Sequence, residues 1–292
     1  MGGLGLKNIC EIAPIEHENS KQFTVKLQNQ ILGITEEEEG KSISTIKNEK
    51  NQRNKEKLEQ VRTSLNEDQK RKNDSNCLAG SSNWLTNLPI KELGYDLNKE
   101  QFQDALQIRY NWVLPRLPTE CACGNSFDVS HALSCKKGGF VTLRHNEIRD
   151  ITSKLLDEVC VNVRNEPSLF DLNGDEQMQH RTANRSKEAR LDISATGFWT
   201  PGQRAFFDIR VFDLNARRYR GLELSKCFRR NEEEKKRHYN ERVNIVEYGT
   251  FSPLVFSTNR GMGRECGIFY KRLSGMIADK SVVFHCNNQQ IL

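Results

Sequence analysis

Four potential soft metal ligands lie within fifteen residues near the middle of the chain: Cys121, Cys123, His131 and Cys135. Three thiolates and an imidazole are ligands of a tetrahedral zinc site, and four protein ligands leave no open position for catalysis. Gly124 follows the first pair and relaxes the backbone for a tight turn. The pattern predicts a structural zinc knuckle, and an ordinary loop with free cysteines is the alternative.

Cysteine usage and hydropathy indicate the compartment. The chain has 292 residues and nine cysteines, an odd number. The first residues lack the basic and apolar segments of a secretory signal, and no apolar run is long enough to span a membrane. We therefore expect a reducing compartment, nuclear or cytoplasmic, in which cysteines are thiols or metal ligands. A net charge of +5 permits nucleic-acid binding without demonstrating it.

Composition divides the N-terminal part of the chain from the rest. Between Glu36 and Ser75, ten acidic and ten basic residues fill half of the positions. Such a segment cannot bury a core, so residues 33–80 are predicted to be a solvated helix or a disordered linker. A weakly periodic stretch, residues 1–32, precedes it.

The order of helical and β-rich stretches favours a mixed sheet in the C-terminal half. Residues 81–140 are predicted to be helical and to carry the cysteine–histidine pattern, with Asn98 capping one helix. Residues 141–280 read as helix, strand, strand, strand, helix, strand, helix. The inward stripe of the first of these helices is predicted to be Ile148, Ile151, Leu155 and Val159. This alternation predicts an α/β domain with helices packed on a sheet. Residues 281–292 are predicted to be a flexible tail.

Two aspartates lie inside β-rich stretches, Asp192 between leucine and isoleucine and Asp208 between phenylalanine and isoleucine. A charge at such a position is costly unless it faces an edge, a partner or a cation. Both are therefore candidate ligands of Mg²⁺ or Mn²⁺, which prefer oxygen donors. Glu147, on the preceding helix, could supply a third oxygen. The alternative is that both strands are edges with outward carboxylates.

Basic residues on the following helix could contact a phosphate. Lys235 and Lys236 are the candidates, and Tyr239 shares the helical face of Lys235. In residues 231–242, nine of twelve positions are charged or histidine, so a solvated helix is the default interpretation.

Three further residues are candidates for nucleic-acid binding. Arg210 could clamp a phosphate but would be a poor base. Arg144 could also contact a phosphate. His145 could do the same, or it could cap the cysteine–histidine cluster.

Taken in order, several motifs between about Trp84 and Lys280 resemble the C-terminal region of proteins encoded by non-LTR retrotransposons with a restriction-enzyme-like endonuclease. The opening glycine-rich stretch, residues 2–7, is similar to the segment that follows the polymerase core in such proteins. The matching motifs are Ser82-Asn83-Trp84-Leu85, Arg109-Tyr110-Asn111-Trp112, Cys121-Ala122-Cys123-Gly124, His131-Ala132-Leu133-Ser134-Cys135, Gly138-Gly139, Arg144-His145-Asn146-Glu147, Arg190-Leu191-Asp192-Ile193, Phe206-Phe207-Asp208-Ile209-Arg210-Val211, and Glu234-Lys235-Lys236-Arg237 with Tyr239.

The resemblance implies a PD-(D/E)XK restriction-endonuclease-like core of order αβββαβ, preceded by helical segments and a CCHC zinc knuckle. It implies metal-dependent nicking of target DNA, which exposes a 3′ hydroxyl for primed reverse transcription. The implied partners are DNA and element RNA, with no membrane and no small-molecule cofactor. The implied ions are structural Zn²⁺ and catalytic Mg²⁺ or Mn²⁺. The residues carried over to the catalytic centre by position are Asp192 and Asp208 as metal ligands, Glu147 as a supporting carboxylate, and Lys235 or Lys236 with Tyr239 as the basic site.

The chain departs from the family pattern at several points. Leu191 replaces the proline of the PD-(D/E)XK motif, and Arg210 stands where the D-x-K pattern has lysine. The spacing of the zinc knuckle is also shorter than in the better-known elements. A Tyr-x-Asp-Asp polymerase motif is absent from the sequence, so this chain cannot copy RNA. We therefore expect a fragment of an element or a gene derived from one. A catalytically inactive nucleic-acid-binding module, or a relic without function, is the alternative to an endonuclease.

Overall fold

The structure is a computed structural model that describes residues 9–34, 40–78, 80–110, 112–115, 117–137, 140–170 and 189–289. It divides into two compact units, Met1–Cys77 and Leu78–Leu292. Outside the described residues lie the opening glycine-rich segment, residues 35–39 of the charged segment, the Gly138-Gly139 pair and residues 171–188. Among the helices of the described residues, none combines the length and the apolar content that a membrane crossing requires.

The described residues of the first unit are mostly helical, and they include the charged segment. The helices are α1 (Ile9–Leu32), α2 (Ile43–Ser64) and α3 (Glu67–Asn76). Ser42 caps α2 by accepting a hydrogen bond from the backbone N–H of Thr45 at 3.1 Å. Exposed ion pairs such as Lys50–Glu16, at 2.8 Å, join α2 to α1 but add little stability in water.

The second unit begins with short helical elements. They are α4 (Asn83–Thr86), a 3₁₀ turn (Lys91–Leu93), α5 (Lys99–Tyr110) and α6 (Val129–Ser134). Asn98 caps α5, as the sequence predicts: its side chain accepts from the Gln101 N–H at 2.8 Å. The Gln101 side chain in turn accepts from the Asn98 N–H at 3.0 Å, which completes a capping box.

A four-stranded mixed sheet with flanking helices forms the centre of this unit. Its elements are α7 (Phe140–Asp157), β1 (Val161–Asn165), β2 (Ile193–Thr196), β3 (Arg204–Phe212), a 3₁₀ turn (Arg217–Tyr219), α8 (Leu224–Ile245), β4 (Thr250–Ser257) and α9 (Arg264–Gln289). The strands lie in the order β1-β2-β3-β4. The first two neighbouring pairs are antiparallel and the β3–β4 pair is parallel, so α8 is the crossover between β3 and β4.

The mixed α/β architecture and its element order are those predicted from the sequence. Helix α9 continues to Gln289, within the stretch from residue 281 that is predicted to be a flexible tail. Alternation along β3 sends neighbouring side chains to opposite faces of the sheet. Phe207 packs with Leu156 of α7 and Phe269 of α9. Phe206 packs on the other face, with Val243 of α8. Asp208 therefore faces α8.

Candidate functional site

The four predicted zinc ligands come together. Their ligand atoms all lie within 4.8 Å of one another. The sulfurs of Cys121 and Cys135 are 3.7 Å apart, and Cys123 Sγ is 3.2 Å from His131 Nε2. A tetrahedral site with Zn–S bonds of about 2.3 Å has sulfur–sulfur edges of about 3.8 Å. The donor set and its spacing therefore fit a metal such as zinc.

Local hydrogen bonds form this cluster. The Cys121 N–H donates to the Asn125 carbonyl at 2.9 Å, and the Gly124 N–H donates to the Cys121 carbonyl at 2.8 Å. Gly124 has φ +82°, a left-handed conformation that favours glycine. Asp128 caps α6 by accepting from the His131 N–H at 2.6 Å, which sets the direction of the helix that carries the imidazole.

Cys123 is already biased towards the thiolate that binds metal. The backbone N–H of Asn125 donates to its sulfur, and the Asn125 side-chain amide does so at 3.3 Å. These hydrogen bonds lower the pKa of Cys123 to about 6. A thiolate is the form of cysteine that ligates zinc, so the turn prepares the site before an ion binds.

The two predicted aspartates lie side by side at the junction of β2 and β3. Ile193 begins β2 and pairs with Phe207, so Asp192 immediately precedes the strand, next to the position of Asp208 in β3. Asp192 Oδ2 accepts a hydrogen bond from the backbone N–H of Ile209 at 2.5 Å. Asp208 is buried. The alternative, edge strands with outward carboxylates, therefore does not describe Asp208.

Lys235 of α8 reaches the buried aspartate. Its Nζ lies 2.5 Å from Asp208 Oδ2 and 5.7 Å from the centre of the Tyr239 ring. Burial raises the pKa of Asp208 to about 6; the ammonium of Lys235 opposes this rise and the charge of Asp192 adds to it. In the described part of the chain, Asp208 Oδ2 has no hydrogen bond of good geometry, so this close ion pair balances its charge.

The other basic candidates are engaged elsewhere. Lys236 pairs with Glu265 at 2.8 Å, and Arg210 pairs with Glu234 at 3.1 Å. The sequence resemblance allows either lysine to be the basic site. In the structure it is Lys235 that contacts Asp208. Tyr239 is partly buried against the core cluster behind it.

Helix α7 contributes His145 rather than Glu147. His145 Nε2 lies 3.2 Å from Asp192 Oδ2, and this hydrogen bond raises the pKa of His145. Glu147 is exposed. Residues two apart on a helix face different directions, so the turn that brings His145 to Asp192 carries Glu147 away from it. Arg144 is half-buried, and its guanidinium donates to the Leu133 carbonyl at 3.2 Å.

The contact between His145 and Asp192 is the feature that sequence reasoning missed. The sequence suggested a phosphate contact or a cap for the zinc module at this histidine. A signal was present, because His145 lies three residues before Ile148, the first residue of the predicted inward stripe. A histidine in line with such a stripe faces the sheet.

Within the described residues, the cysteine–histidine cluster is the only group of three or more His, Cys, Asp or Glu side chains that could hold a metal.

No protein-family model matches the chain, and no curated protein matches it. Function is therefore inferred from the geometry and chemistry of the two sites, together with the motifs in the sequence.

Proposed function

We propose that residues 141–280 form a metal-dependent DNA endonuclease of the PD-(D/E)XK type, derived from a non-LTR retrotransposon and preceded by a structural zinc knuckle. One observation carries the proposal: an aspartate just before β2, an aspartate of β3 and a lysine of the crossover helix meet at one place. Asp192 accepts a hydrogen bond from the backbone N–H of Ile209, the residue after Asp208, and Lys235 is 2.5 Å from Asp208. These residues are among those that the sequence resemblance assigns to the catalytic centre.

The aspartates are the residues that would hold Mg²⁺ or Mn²⁺. Their donors are hard oxygens, which suit these ions. The buried Oδ2 of Asp208 lies 2.5 Å from the Lys235 ammonium, so a positive charge is what this costly buried carboxylate favours. When bound, the ion would supply neutralisation of phosphate charge and a water of lowered pKa.

The side chains prepare this centre for a phosphodiester. The Ile209 N–H fixes Asp192, and the position of Asp208 in the middle of β3 fixes the second carboxylate. Lys235 is a cation held at the same place, where it can stabilise the negative charge that develops on the phosphate. Arg210 stands two residues from Asp208, but its charge is shared with Glu234.

Nicking of supercoiled plasmid tests the proposal. The full chain should convert supercoiled DNA to open circles with Mg²⁺ and not with EDTA. Asp192→Ala should abolish nicking while the melting temperature and circular dichroism remain those of a folded protein. Asp157→Ala, which removes an exposed aspartate at the end of α7, is the matched control and should nick normally. Nicking that survives Asp192→Ala would remove this residue from the centre.

The second candidate function is nucleic-acid binding without catalysis. It is favoured by Arg210, which stands where the family pattern has lysine and is paired with Glu234. In that case the chain should bind DNA or RNA in EDTA, with affinity that falls steeply as salt is raised, because phosphate contacts release counterions. Salt-sensitive binding together with intact plasmid in Mg²⁺ would favour this function over the nuclease.

A further inference from the structure

We propose that His145 is a positioning residue that holds the Asp192 carboxylate in place for metal binding. This inference rests on the proposed nuclease function and deepens it. It assigns to His145 a task different from the phosphate contact that the sequence suggests. The observation behind it is the hydrogen bond from α7 to the residue just before β2.

Two donors from different elements converge on one oxygen of Asp192. The Ile209 N–H of β3 lies 2.5 Å from Oδ2, and His145 Nε2 of α7 lies 3.2 Å from it. A carboxylate held by one donor can still rotate about that contact, whereas a second donor from another direction fixes its plane. Both of these hydrogen bonds go to Oδ2, which leaves Oδ1 for a cation.

Like-charge repulsion gives the second donor its importance. Asp192 lies beside Asp208, since its Oδ2 accepts from the N–H of Ile209, the next residue, and two ionised carboxylates this close repel each other. Asp192 is the less buried of the two, with 17% of its side chain exposed against 6% for Asp208, so it is the one that can turn towards water. The hydrogen bond from His145 opposes that rotation.

No neighbour on the same helical face can take over this task. Arg149 lies one turn after His145 and contributes charge near Asp192. Its guanidinium is already engaged, however, by Asp150 at 2.9 Å and by Glu166. The second ring nitrogen of His145, Nδ1, lies 3.4 Å from Asn146 Oδ1. Both nitrogens of the ring therefore have protein partners, which argues against a phosphate contact.

Metal binding without DNA gives the decisive measurement. Mn²⁺ is titrated into the zinc-loaded full chain, and free Mn²⁺ is followed by electron paramagnetic resonance. His145→Ala should weaken Mn²⁺ binding about tenfold to a hundredfold, the usual effect of losing a partner that orients a ligand. His145→Gln should stay within about threefold of wild type, because its amide nitrogen can reach the place of Nε2. His145→Asn is polar but too short, and it should behave like alanine.

Duplex DNA binding in EDTA, followed by fluorescence anisotropy, separates this role from a DNA contact. All three variants should bind DNA like wild type. The inference is overturned if His145→Ala binds Mn²⁺ like wild type, if His145→Gln is as weak as alanine, or if His145→Ala loses DNA affinity in EDTA. The Gln and Asn pair keeps the test open should the alanine variant not fold.

Failure of the inference and failure of the proposed function give different results. If the wild-type chain binds Mn²⁺ no better than Asp192→Ala and leaves plasmid intact, both the nuclease and the positioning role are excluded. If wild type binds Mn²⁺ and nicks DNA while His145→Ala does so equally well, the nuclease stands and only the role of His145 is excluded.

Discussion

The cysteine–histidine cluster and the aspartate pair are two candidate ion sites of the same unit, and the chain builds them in opposite ways. The cluster takes all four ligands from fifteen consecutive residues, held by a turn and a short helix. The aspartate centre takes His145 from α7, one carboxylate from the residue before β2, one from β3, and Lys235 from the crossover helix. A local site can be recognised from spacing, whereas a site between distant elements depends on sheet register and helix packing.

The two sites also differ in how their charge is balanced. The cluster collects thiols that zinc would hold as thiolates, and hydrogen bonds from Asn125 already favour one thiolate. The aspartate centre places a buried carboxylate beside a second one and offsets this with an ammonium and an imidazole. We therefore expect the cluster to depend on its ion for folding, and the aspartate centre to fold without one.

The largest effect is expected at the cluster. Cys123→Ser should lower bound zinc from about one equivalent to a small fraction, because it removes one of the four ligands. Structural zinc contributes about 10–16 kcal/mol to the folding of zinc-finger peptides, so hydrogen exchange over residues 117–137 should lose protection while β3 keeps it. Zinc content by mass spectrometry checks the first point. Cys77→Ser, at an exposed cysteine outside the cluster, is the control. Full zinc occupancy in Cys123→Ser would contradict the assignment.

The next effect separates the two adjacent lysines. Lys235→Met should reduce plasmid nicking about a hundredfold to a thousandfold, as expected for losing one preorganised charge at the reacting phosphate. Lys236→Met should change it less than about threefold, because Lys236 pairs with Glu265 instead. Rates of nicking at saturating Mg²⁺ provide the comparison. Equal losses in both variants would show that the contact with Asp208 does not distinguish Lys235 from Lys236.

A smaller effect concerns pH and stability. The folded-state pKa of Asp208 is raised to about 6, so its contribution to stability is present below pH about 4 and is lost as pH rises through 6. Asp208→Asn should therefore raise the free energy of unfolding at pH 8 in EDTA by about 1–3 kcal/mol, and much less at pH 4.5. Urea denaturation at both pH values measures the difference. A variant less stable than wild type at pH 8 would mean that the Lys235 pair outweighs the burial cost.

The smallest effect is expected at Glu147. Glu147→Gln should change Mn²⁺ affinity and nicking by less than about twofold, because the side chain is exposed and directed away from Asp192. The same Mn²⁺ titration checks it, with Asp192→Ala as the sensitive reference. A tenfold loss would restore Glu147 as the third carboxylate that the sequence suggests.

Much of the fold follows from local chemistry. The cap at Asn98, the order of strands and helices around β3, and the ligands of the cluster could all be predicted from the sequence, since each depends on neighbouring residues. The buried face of a helix is harder to predict from the sequence. Ile151 belongs to the predicted inward stripe of α7, yet it is 59% exposed, and α7 buries Thr152 and Leu156 instead. That rotation depends on how α7 packs against the sheet.

The choice between neighbouring residues could not be predicted for the same reason. Lys235 and Lys236 are adjacent on α8 and point about 100° apart, so only the packing of the helix decides which one meets Asp208. The pairing of His145 with Asp192 joins residues 47 positions apart. Neither propensity nor spacing carries that information.

Because Lys235 lies on α8, the crossover between β3 and β4, the ammonium reaches Asp208 only after the chain has left the sheet at the end of β3. A shorter product ending before Leu224 would retain both carboxylates but would lack the cation that contacts Asp208. Under the proposed function, such an incomplete polypeptide could not cut DNA. Cleavage would thus await synthesis of the connecting helix, and premature termination upstream of it would yield a harmless protein.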